Sequence, residues 1–362
     1  MTTRPSSAQH VIVYRDETYF AGWPFNGGSW QFSDGEIVVG FVRGKCDYKS
    51  EGCVTHRTID SIGGEHVFLR SNDGGLTWPL SSMSKAYTRP EFDQQLAEWT
   101  PQTNPPQIDP TSEDFCLIAG FGVPSKENPN YAFTLISTDR GRTWGNLSRL
   151  PHKYFKFVAS RPTYYVRPDG RLMLVGMVNG DPSEGKSTQP FIFASPDGGH
   201  NWHYIAPVAM DPPSPSGIMG FPLQLPDGSL LLSVRRQYDS YSAFTQVYVS
   251  YDQGLTWSLR SRVNDWGAPG DLAILKDGSL LCTYGYRIAP FGIRARISTD
   301  QGRTWGEEII LRDDGGSYDL GYARSHVRAD GSIVSIYYFN SKDDPIQFGG
   351  GVRHIAATIW KP

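Results

Sequence analysis

The sequence has few cysteines for its 362 residues, and the four that occur are widely spaced. Small domains that rely on disulfides have dense, paired cysteines, so a disulfide framework is excluded. A bridge between Cys46 and Cys53 is conceivable, although a reduced pair fits a cytosolic protein better. The remaining two cysteines are Cys116 and Cys282.

Charged residues are also scarce, at 20% of the chain, and the formal net charge is only -3. Nucleic-acid grooves and basic membrane-binding patches need an excess of positive charge, so neither nucleic acid nor a membrane is expected as a partner. No run of about 18 apolar residues occurs, and the first residues lack the apolar core of a signal peptide. We expect a cytoplasmic protein, or a secreted one if a leader was removed, and make no prediction of its oligomeric state.

Common cofactor and nucleophile motifs are missing. The patterns G-x-x-x-x-G-K-[ST], H-E-x-x-H and G-x-S-x-G do not occur, and the Gly-Phe-Gly at 120–122 lacks the third glycine of a dinucleotide-binding loop. Cys46, Cys53 and His56 have no fourth ligand at the usual zinc spacing. We therefore expect no cofactor and no metal in the site, and make no prediction about a structural ion.

What the sequence does contain is one eight-residue turn written five times. Its aspartate can accept hydrogen bonds from nearby backbone N–H groups, its glycine adopts positive φ without steric cost, and its Thr and Trp begin a strand. The residues of this turn therefore have structural roles. The copies are SNDGGLTW from Ser71, STDRGRTW from Ser137, SPDGGHNW from Ser195, SYDQGLTW from Ser250 and STDQGRTW from Ser298.

A second repeat alternates with the first and consists of an Asp-Gly turn followed by an aliphatic run. Asp-Gly between such runs is a strong signal for a β-hairpin. Each unit therefore reads as a four-stranded blade. The turns lie in SDGEIVVGF from Ser33, PDGRLMLVG from Pro168, PDGSLLLSV from Pro226, KDGSLLCTY from Lys276 and ADGSIVSIY from Ala329.

The number of repeats predicts six blades in one all-β domain, residues 1–362. A degraded hairpin at 110–121 supplies the second blade, and the N-terminal strand HVIVYR completes the sixth blade, which otherwise ends at RHIAATIW. The inner strands are predicted to open near Trp23, Gln107, Arg161, Phe221, Asp271 and Tyr322.

The five S-x-D-x-G-x-T-W boxes at blade spacing resemble those of the sialidase (neuraminidase) superfamily of six-bladed propellers, and the resemblance covers essentially the whole chain. It implies a glycosidase with a carbohydrate substrate, acting on a terminal acidic or unusual sugar. The family's tyrosine nucleophile matches Tyr322, about eight residues before the last Asp-Gly turn. Its acid/base aspartate matches Asp47, although Glu51, Asp60 and Glu65 lie on the same loop.

Arginines that hold the substrate carboxylate are a further implication of the resemblance, since a planar guanidinium suits that task. Arg235 matches one such position, and Arg287 or Arg294 another. The family begins its first blade with F-R-I-P, but this chain has Gly22 at the position of that arginine, so Arg161 is a candidate replacement.

A second departure concerns the glutamate that activates the tyrosine in the family's fourth blade. The segment SGIMGFPLQ offers no acid there, and Asp271 is the candidate substitute. Trp23 and Phe25 are predicted to lie at the pocket mouth, where either could stack on a sugar or pack between blades.

Two other functions remain open. A polysaccharide lyase needs a base, an acid and a group that neutralises a carboxylate. Strand alternation would place Tyr322, Arg324 and His326 on one face, and His56 and His66 are further candidates. The other function is a carbohydrate-binding propeller without catalytic activity.

Overall fold

A computed structural model describes residues 2–49, 64–122, 132–153, 155, 157–179, 188–209, 216–238 and 242–362. Almost all of the regular structure in these ranges is β-strand. The α-helices described are short, α1 at Pro24–Gly27 and α2 at Glu91–Glu98. Single 3-10 turns lie at Leu80–Ser82 and Phe348–Gly350. None of the described helices has the length and apolar character needed to cross a membrane.

The strands form six sheets, and the fold is the all-β six-bladed propeller that the repeats predict. Neighbouring strands run antiparallel, except that β1 (Thr2–Thr3) joins the fifth blade in parallel. The first three blades consist of β3 (Tyr19–Gly22), β4 (Ser29–Gln31), β5 (Ile37–Lys45), β6 (Glu65–Ser71) and β7 (Ser84–Thr88); β8 (Cys116–Phe121), β9 (Ala132–Ser137) and β10 (Gly145–Arg149); and β11 (Phe157–Val166), β12 (Leu172–Asn179), β13 (Thr188–Ser195) and β14 (His203–Pro207).

The last three blades follow the same order. They consist of β15 (Ser216–Gln224), β16 (Leu230–Gln237), β17 (Ala243–Ser250) and β18 (Ser258–Arg262); β19 (Gly270–Ile274), β20 (Leu280–Tyr286), β21 (Gly292–Ser298) and β22 (Glu308–Arg312), with β1 (Thr2–Thr3); and β23 (Gly321–Val327), β24 (Ile333–Phe339) and β25 (His354–Lys361), with β2 (Ser7–Tyr14).

The predicted closure of the sixth blade is confirmed. Strand β2 pairs antiparallel with β25 from Ser7 opposite Lys361 to Tyr14 opposite Ile355. The final sheet therefore has four strands, three from the C-terminal end of the chain and one from the N-terminal end. This pairing covers an edge that β25 would otherwise leave exposed.

The second blade departs from the prediction, because no strand forms near Gln107 among the described residues. The surrounding segment contains Pro101, Pro105, Pro106 and Pro110, and a proline has no N–H to donate to a β-ladder. The blade is a three-stranded sheet of β8, β9 and β10.

The chain divides into two compact units, residues 1–89, 241–245 and 261–362, and residues 90–240 and 246–260. In the first unit, a core packs around Trp360, Tyr337 and Phe339. In the second, one core contains Trp202 and Phe193, and another contains Tyr248 and its neighbours from two sheets. That residues 1–362 act as one domain stays a prediction.

Three of the cysteines, Cys46, Cys116 and Cys282, are buried within these units. Cys53 lies outside the described residues, so a bridge to Cys46 stays a hypothesis.

The Asp boxes form the hydrogen-bonded turns that their residue types predict. In the fourth box, Ser250 Oγ donates to Asp252 Oδ1 at 2.8 Å and accepts from the Gly254 N–H at 2.8 Å. Thr256 donates its N–H to Oδ1 at 2.9 Å and its hydroxyl to Oδ2 at 2.6 Å. Burial opposes ionisation, but these hydrogen bonds lower the pKa of Asp252. Trp257 Nε1 donates to Gly254 O at 3.1 Å, which pins the indole to the turn.

Removing one box carboxylate should therefore destabilise the fold. We expect Asp252→Ala to lower the free energy of unfolding by about 2 kcal/mol, because the donors of the turn lose a charged acceptor. Asp265→Ala is the control, since the Asp265 side chain is 83% exposed and its pair with Arg262 is superficial. That change should stay within about 0.5 kcal/mol of wild type in urea unfolding. Equal losses in the two variants would contradict a stabilising role for the box.

Candidate active site

Tyr322 occupies a distorted position at the start of β23. Its φ is 52°, a left-handed conformation that a bulky side chain adopts at a cost. The ladder between β23 and β24 shifts register between Gly321 and Arg324, so Tyr322 lies on a bulge. Bulges and strained backbone concentrate at functional sites, because they re-aim a side chain.

Two glycines set the distance between Tyr322 and the neighbouring blade. A Cβ at Gly321 would lie 2.7 Å from the Cα of Gly285, and a Cβ at Gly285 would lie 2.7 Å from the Cα of Gly321. Gly321 also has a φ of 106°. This close backbone approach brings the end of β20, and Arg287 directly after it, beside Tyr322.

Arg287 and Tyr338 surround the Tyr322 ring. The guanidinium carbon of Arg287 lies 5.1 Å from the centroid of the Tyr322 ring, in cation–π range, and the Tyr338 ring meets it edge-on at 5.7 Å. Arg287 donates from Nε and Nη2 to Leu320 O at 3.2 and 3.0 Å, and from Nη2 to Tyr338 Oη at 3.3 Å. Burial alone would lower the pKa of Arg287, but Tyr338, Tyr322 and Asp319 raise it above its ordinary value.

Arg287 was predicted to hold a substrate carboxylate. Its Nε and Nη2 groups instead bind the protein's own backbone and Tyr338, and its burial is nearly complete. This geometry places the guanidinium beside Tyr322, and a contact of Arg287 with a substrate carboxylate stays a prediction. Sequence reasoning missed Asp319 and Arg353, which continue this set of contacts. Tyr338 Oη donates to Asp319 Oδ1 at 2.7 Å, and Arg353 Nε donates to Asp319 Oδ2 at 3.3 Å.

Asp271 was predicted as a base toward Tyr322, but the structure pairs it with Arg324. Arg324 Nε lies 3.1 Å from Asp271 Oδ1, and the Ser325 N–H donates to Oδ2 at 2.6 Å. Complete burial raises the pKa of Asp271 to about 7, although Arg324 and Ser325 favour the carboxylate. The side chain is thus a buried partner of Arg324, and catalysis by Asp271 stays a prediction.

The predicted grouping of Tyr322, Arg324 and His326 holds only for the last two. Arg324 Nη2 donates to Ser29 O at 3.2 Å, and His326 Nε2 lies 2.7 Å from Ser29 Oγ. The bulge at Tyr322 interrupts the alternation that the sequence suggests. Burial, with a smaller effect of Arg324, lowers the pKa of His326 to about 3, so the imidazole is neutral at physiological pH.

The other predicted arginines differ in surroundings. In the first unit, Arg294 donates to Arg312 O and Pro290 O and lies 3.7 Å from Glu308 Oε2. In the second unit, Arg161 Nη1 donates to Ser160 O at 2.9 Å, over the Phe121 ring. Arg235 Nη1 contacts Met219 Sδ at 4.0 Å.

Met219 lies beside Arg235, in the segment where the resemblance implies a glutamate. Met219 lies on β15, which contains no acidic residue, and its φ is 52°. The ladder between β15 and β16 shifts register at this point, as the ladder at Tyr322 does. The segment contains no acid, and Met219 contributes an apolar thioether beside Arg235.

The aromatic residues expected at the pocket mouth are buried. Trp23 is 5% exposed, has a φ of 63° and packs against Phe20 and Tyr338. Phe25 is completely buried, so it cannot stack on a sugar as the structure stands. The alternative that these rings serve packing fits Phe25, because α1 folds its side chain inward.

The first-blade loop is described only in part. Asp47 is exposed, and its Oδ1 accepts from the Lys49 N–H at 3.0 Å. His66 is buried between Gly27 O and Tyr87 Oη, and burial lowers its pKa to about 4. Glu65 pairs with Arg43 at 2.9 Å. His56, Glu51 and Asp60 lie outside the described residues.

Fold and repeats together define a propeller of the Asp-box class. The sequence pattern of one such family matches residues 100–336, and the chain belongs to this family, the BNR repeat-like domains. The chain is 24% identical over 241 residues to a sialidase of Clostridium perfringens, which covers 60% of this chain. It spans 57% of that relative, little more than half of its length.

Solved structures agree with the fold. A protein of unknown function from Dyadobacter fermentans has a TM-score of 0.75 and 27% identity, with 98% of this chain and 99% of that chain covered. An alpha-L-arabinanase of Penicillium chrysogenum, complexed with arabinobiose, has a TM-score of 0.65 and 12% identity, with 98% of each chain covered. The resemblance to sialidase-type propellers is therefore confirmed for the fold.

Proposed function

We propose that this protein is a glycosidase that hydrolyses the terminal sugar of a glycan and uses Tyr322 as its nucleophile. The observation that carries the proposal is the bulged, left-handed position of Tyr322 with the Arg287 guanidinium 5.1 Å from its ring. The names of the relatives, a sialidase and an arabinanase, support the same reaction class. Fold alone would not, because propellers serve many functions.

The chemistry follows from the site. Attack of the Tyr322 oxygen on the anomeric carbon forms a glycosyl–tyrosine bond and breaks the glycosidic bond; the phenol proton passes to water, and the leaving oxygen takes a proton from a general acid. A water molecule then attacks the anomeric carbon, gives one proton back to that general acid and displaces the tyrosine oxygen, which regains its proton from water. Arg287 stabilises negative charge that develops on the phenol oxygen, because a cation in a buried site interacts strongly with it. Asp47 as the acid stays a prediction.

Hydrolysis is favoured over elimination by the state of His326. A lyase base must accept a proton near the working pH, but burial lowers the pKa of His326 to about 3. The imidazole also lies 2.7 Å from Ser29 Oγ, so its Nε2 is already occupied.

The acidity of the sugar is a separate part of the proposal. The resemblance implies a terminal sialic or other ulosonic acid, whose carboxylate needs guanidinium groups. In the first unit, Arg294 and Arg324 contact internal carbonyls and carboxylates, and their role toward a substrate carboxylate stays a prediction. Arg161 and Arg235 stay candidates for it.

The test is the mass of the products after incubation with oligosaccharides that end in sialic, other ulosonic, uronic or neutral sugars. A released terminal sugar whose mass includes one added water supports the proposal and identifies the sugar. Products that sum to the mass of the substrate and carry a new double bond would replace it with elimination. Binding of an oligosaccharide without any product would replace it with a carbohydrate-binding function.

A further inference from the structure

The buried side chains beside Tyr322 form a chain of hydrogen bonds in which Arg287 donates to Tyr338 and Tyr338 donates to Asp319. Burial, followed by the charge of Asp319, raises the pKa of Tyr338 well above its ordinary value, so its hydroxyl keeps the proton. That proton is donated to Asp319 Oδ1 at 2.7 Å. The Tyr338 oxygen is then left to accept, and it does so from Arg287 Nη2 at 3.3 Å.

The far end of this chain is also fixed. Arg353 Nε binds Asp319 Oδ2 at 3.3 Å, and its Nη1 and Nη2 donate to Gly351 O at 2.7 Å and Ser317 Oγ at 3.0 Å. The Asn340 amide donates to the backbone oxygen of Asp319 at 2.7 Å. Asp319 is 4% exposed, so its position is set on every side by protein groups.

Within the part of the chain that the structure describes, these contacts hold more positive than negative charge. Two guanidinium groups, Arg287 and Arg353, share one carboxylate, Asp319, and all three residues are buried. Buried charges are costly unless they are paired. The surplus positive charge lies at Arg287, which faces the Tyr322 ring.

From this geometry we infer that Asp319 is the positioning residue of the active site: through Tyr338 it orients Arg287 over Tyr322. The inference rests on the proposed function and deepens it. Asp319 supplies a carboxylate near the Tyr322 site, since the Asp271 carboxylate is paired with Arg324. Asp319 does not touch the reacting atoms, and its effect is exerted through the direction of two hydrogen bonds.

The first test is kinetic and uses the oligosaccharide that the product assay identifies. Asp319→Asn keeps the shape of the side chain but removes its charge, and its NH2 group can reverse the hydrogen bond to Tyr338. We expect kcat to fall roughly 10- to 100-fold while KM changes less than about twofold, because misorientation affects the transition state more than binding. A purely structural loss would lower the folded fraction and leave kcat per folded molecule unchanged.

Tyr338→Phe repeats the test with the Asp319–Arg353 pair intact, so it remains informative if Asp319→Asn folds poorly. The double variant should be no slower than the slower single variant, because both changes break one chain. Glu36→Gln is the matched control: Glu36 is a buried carboxylate 3.5 Å from the buried Arg70 in the same unit. Its kcat should equal that of wild type.

The second test needs no substrate, so it separates failure of this inference from failure of the proposed function. In protein labelled with carbon-13 tyrosine, the Tyr322 signal is the one that disappears in Tyr322→Phe. That signal should move in Asp319→Asn and in Tyr338→Phe, and stay in place in Glu36→Gln. A Tyr322 signal that is unmoved in both site variants would overturn the inference, whether or not a glycan is ever hydrolysed.

Discussion

Tyr322→Phe is expected to lower kcat by roughly 1,000-fold or more, because the substitution removes the only nucleophilic atom of that side chain. The phenyl ring keeps its edge-on contact with Tyr338 and its place under Arg287, so the fold should survive. The measurement is the rate of release of the terminal sugar, made on the substrate that the product assay identifies. Circular dichroism and thermal unfolding would verify that the variant is folded.

The control is another buried tyrosine of the same blade. Tyr337 lies on β24 and shares a hydrogen bond with Thr358, within the hydrophobic core. Tyr337→Phe loses a hydroxyl of the same kind, so it should cost about 1 kcal/mol of stability and leave kcat unchanged. If Tyr322→Phe kept activity within about tenfold of wild type, Tyr322 would not be the nucleophile.

The blades could be predicted from the sequence because their signals are local. An Asp box and an Asp-Gly hairpin each specify a turn within about eight residues, and the turn then fixes which residues pair. Strand β25 and its partner β2 were predictable for a related reason, since an unpaired edge needs cover. The second blade was not predicted correctly, because the prolines that prevent its fourth strand also occur in loops.

The site was harder to predict, because its residues take their roles from partners distant in sequence. Arginine is suited to a substrate carboxylate, but nothing local shows that Arg287 binds Leu320 O instead. Asp319 lies three residues before Tyr322, yet its importance comes from Tyr338 and Arg353. The bulge at Tyr322 has a weak signal in Gly321, which permits the close approach to Gly285.

The stability of the protein is expected to depend on pH through Asp271. Burial raises the pKa of this carboxyl to about 7 in the folded protein, whereas it is about 4 in an unfolded chain. The folded state therefore holds the proton more tightly, and the resulting stabilisation is complete below about pH 4. It is lost as the pH rises through about 7, and the total loss is about 4 kcal/mol.

Asp271→Asn isolates this effect because an amide does not titrate. The free energy of unfolding is measured in urea for the variant and for wild type. The value of the variant minus the value of wild type should rise by about 4 kcal/mol between about pH 4 and pH 8. Asp265→Asn is the control: its side chain is 83% exposed, so its difference from wild type should be almost independent of pH. A difference for Asp271→Asn that stays constant over this range would show that Arg324 and the Ser325 amide keep the carboxylate ionised. The pair would then be a fixed ion pair of the fifth and sixth blades, and Asp271 would have no proton to exchange near neutral pH.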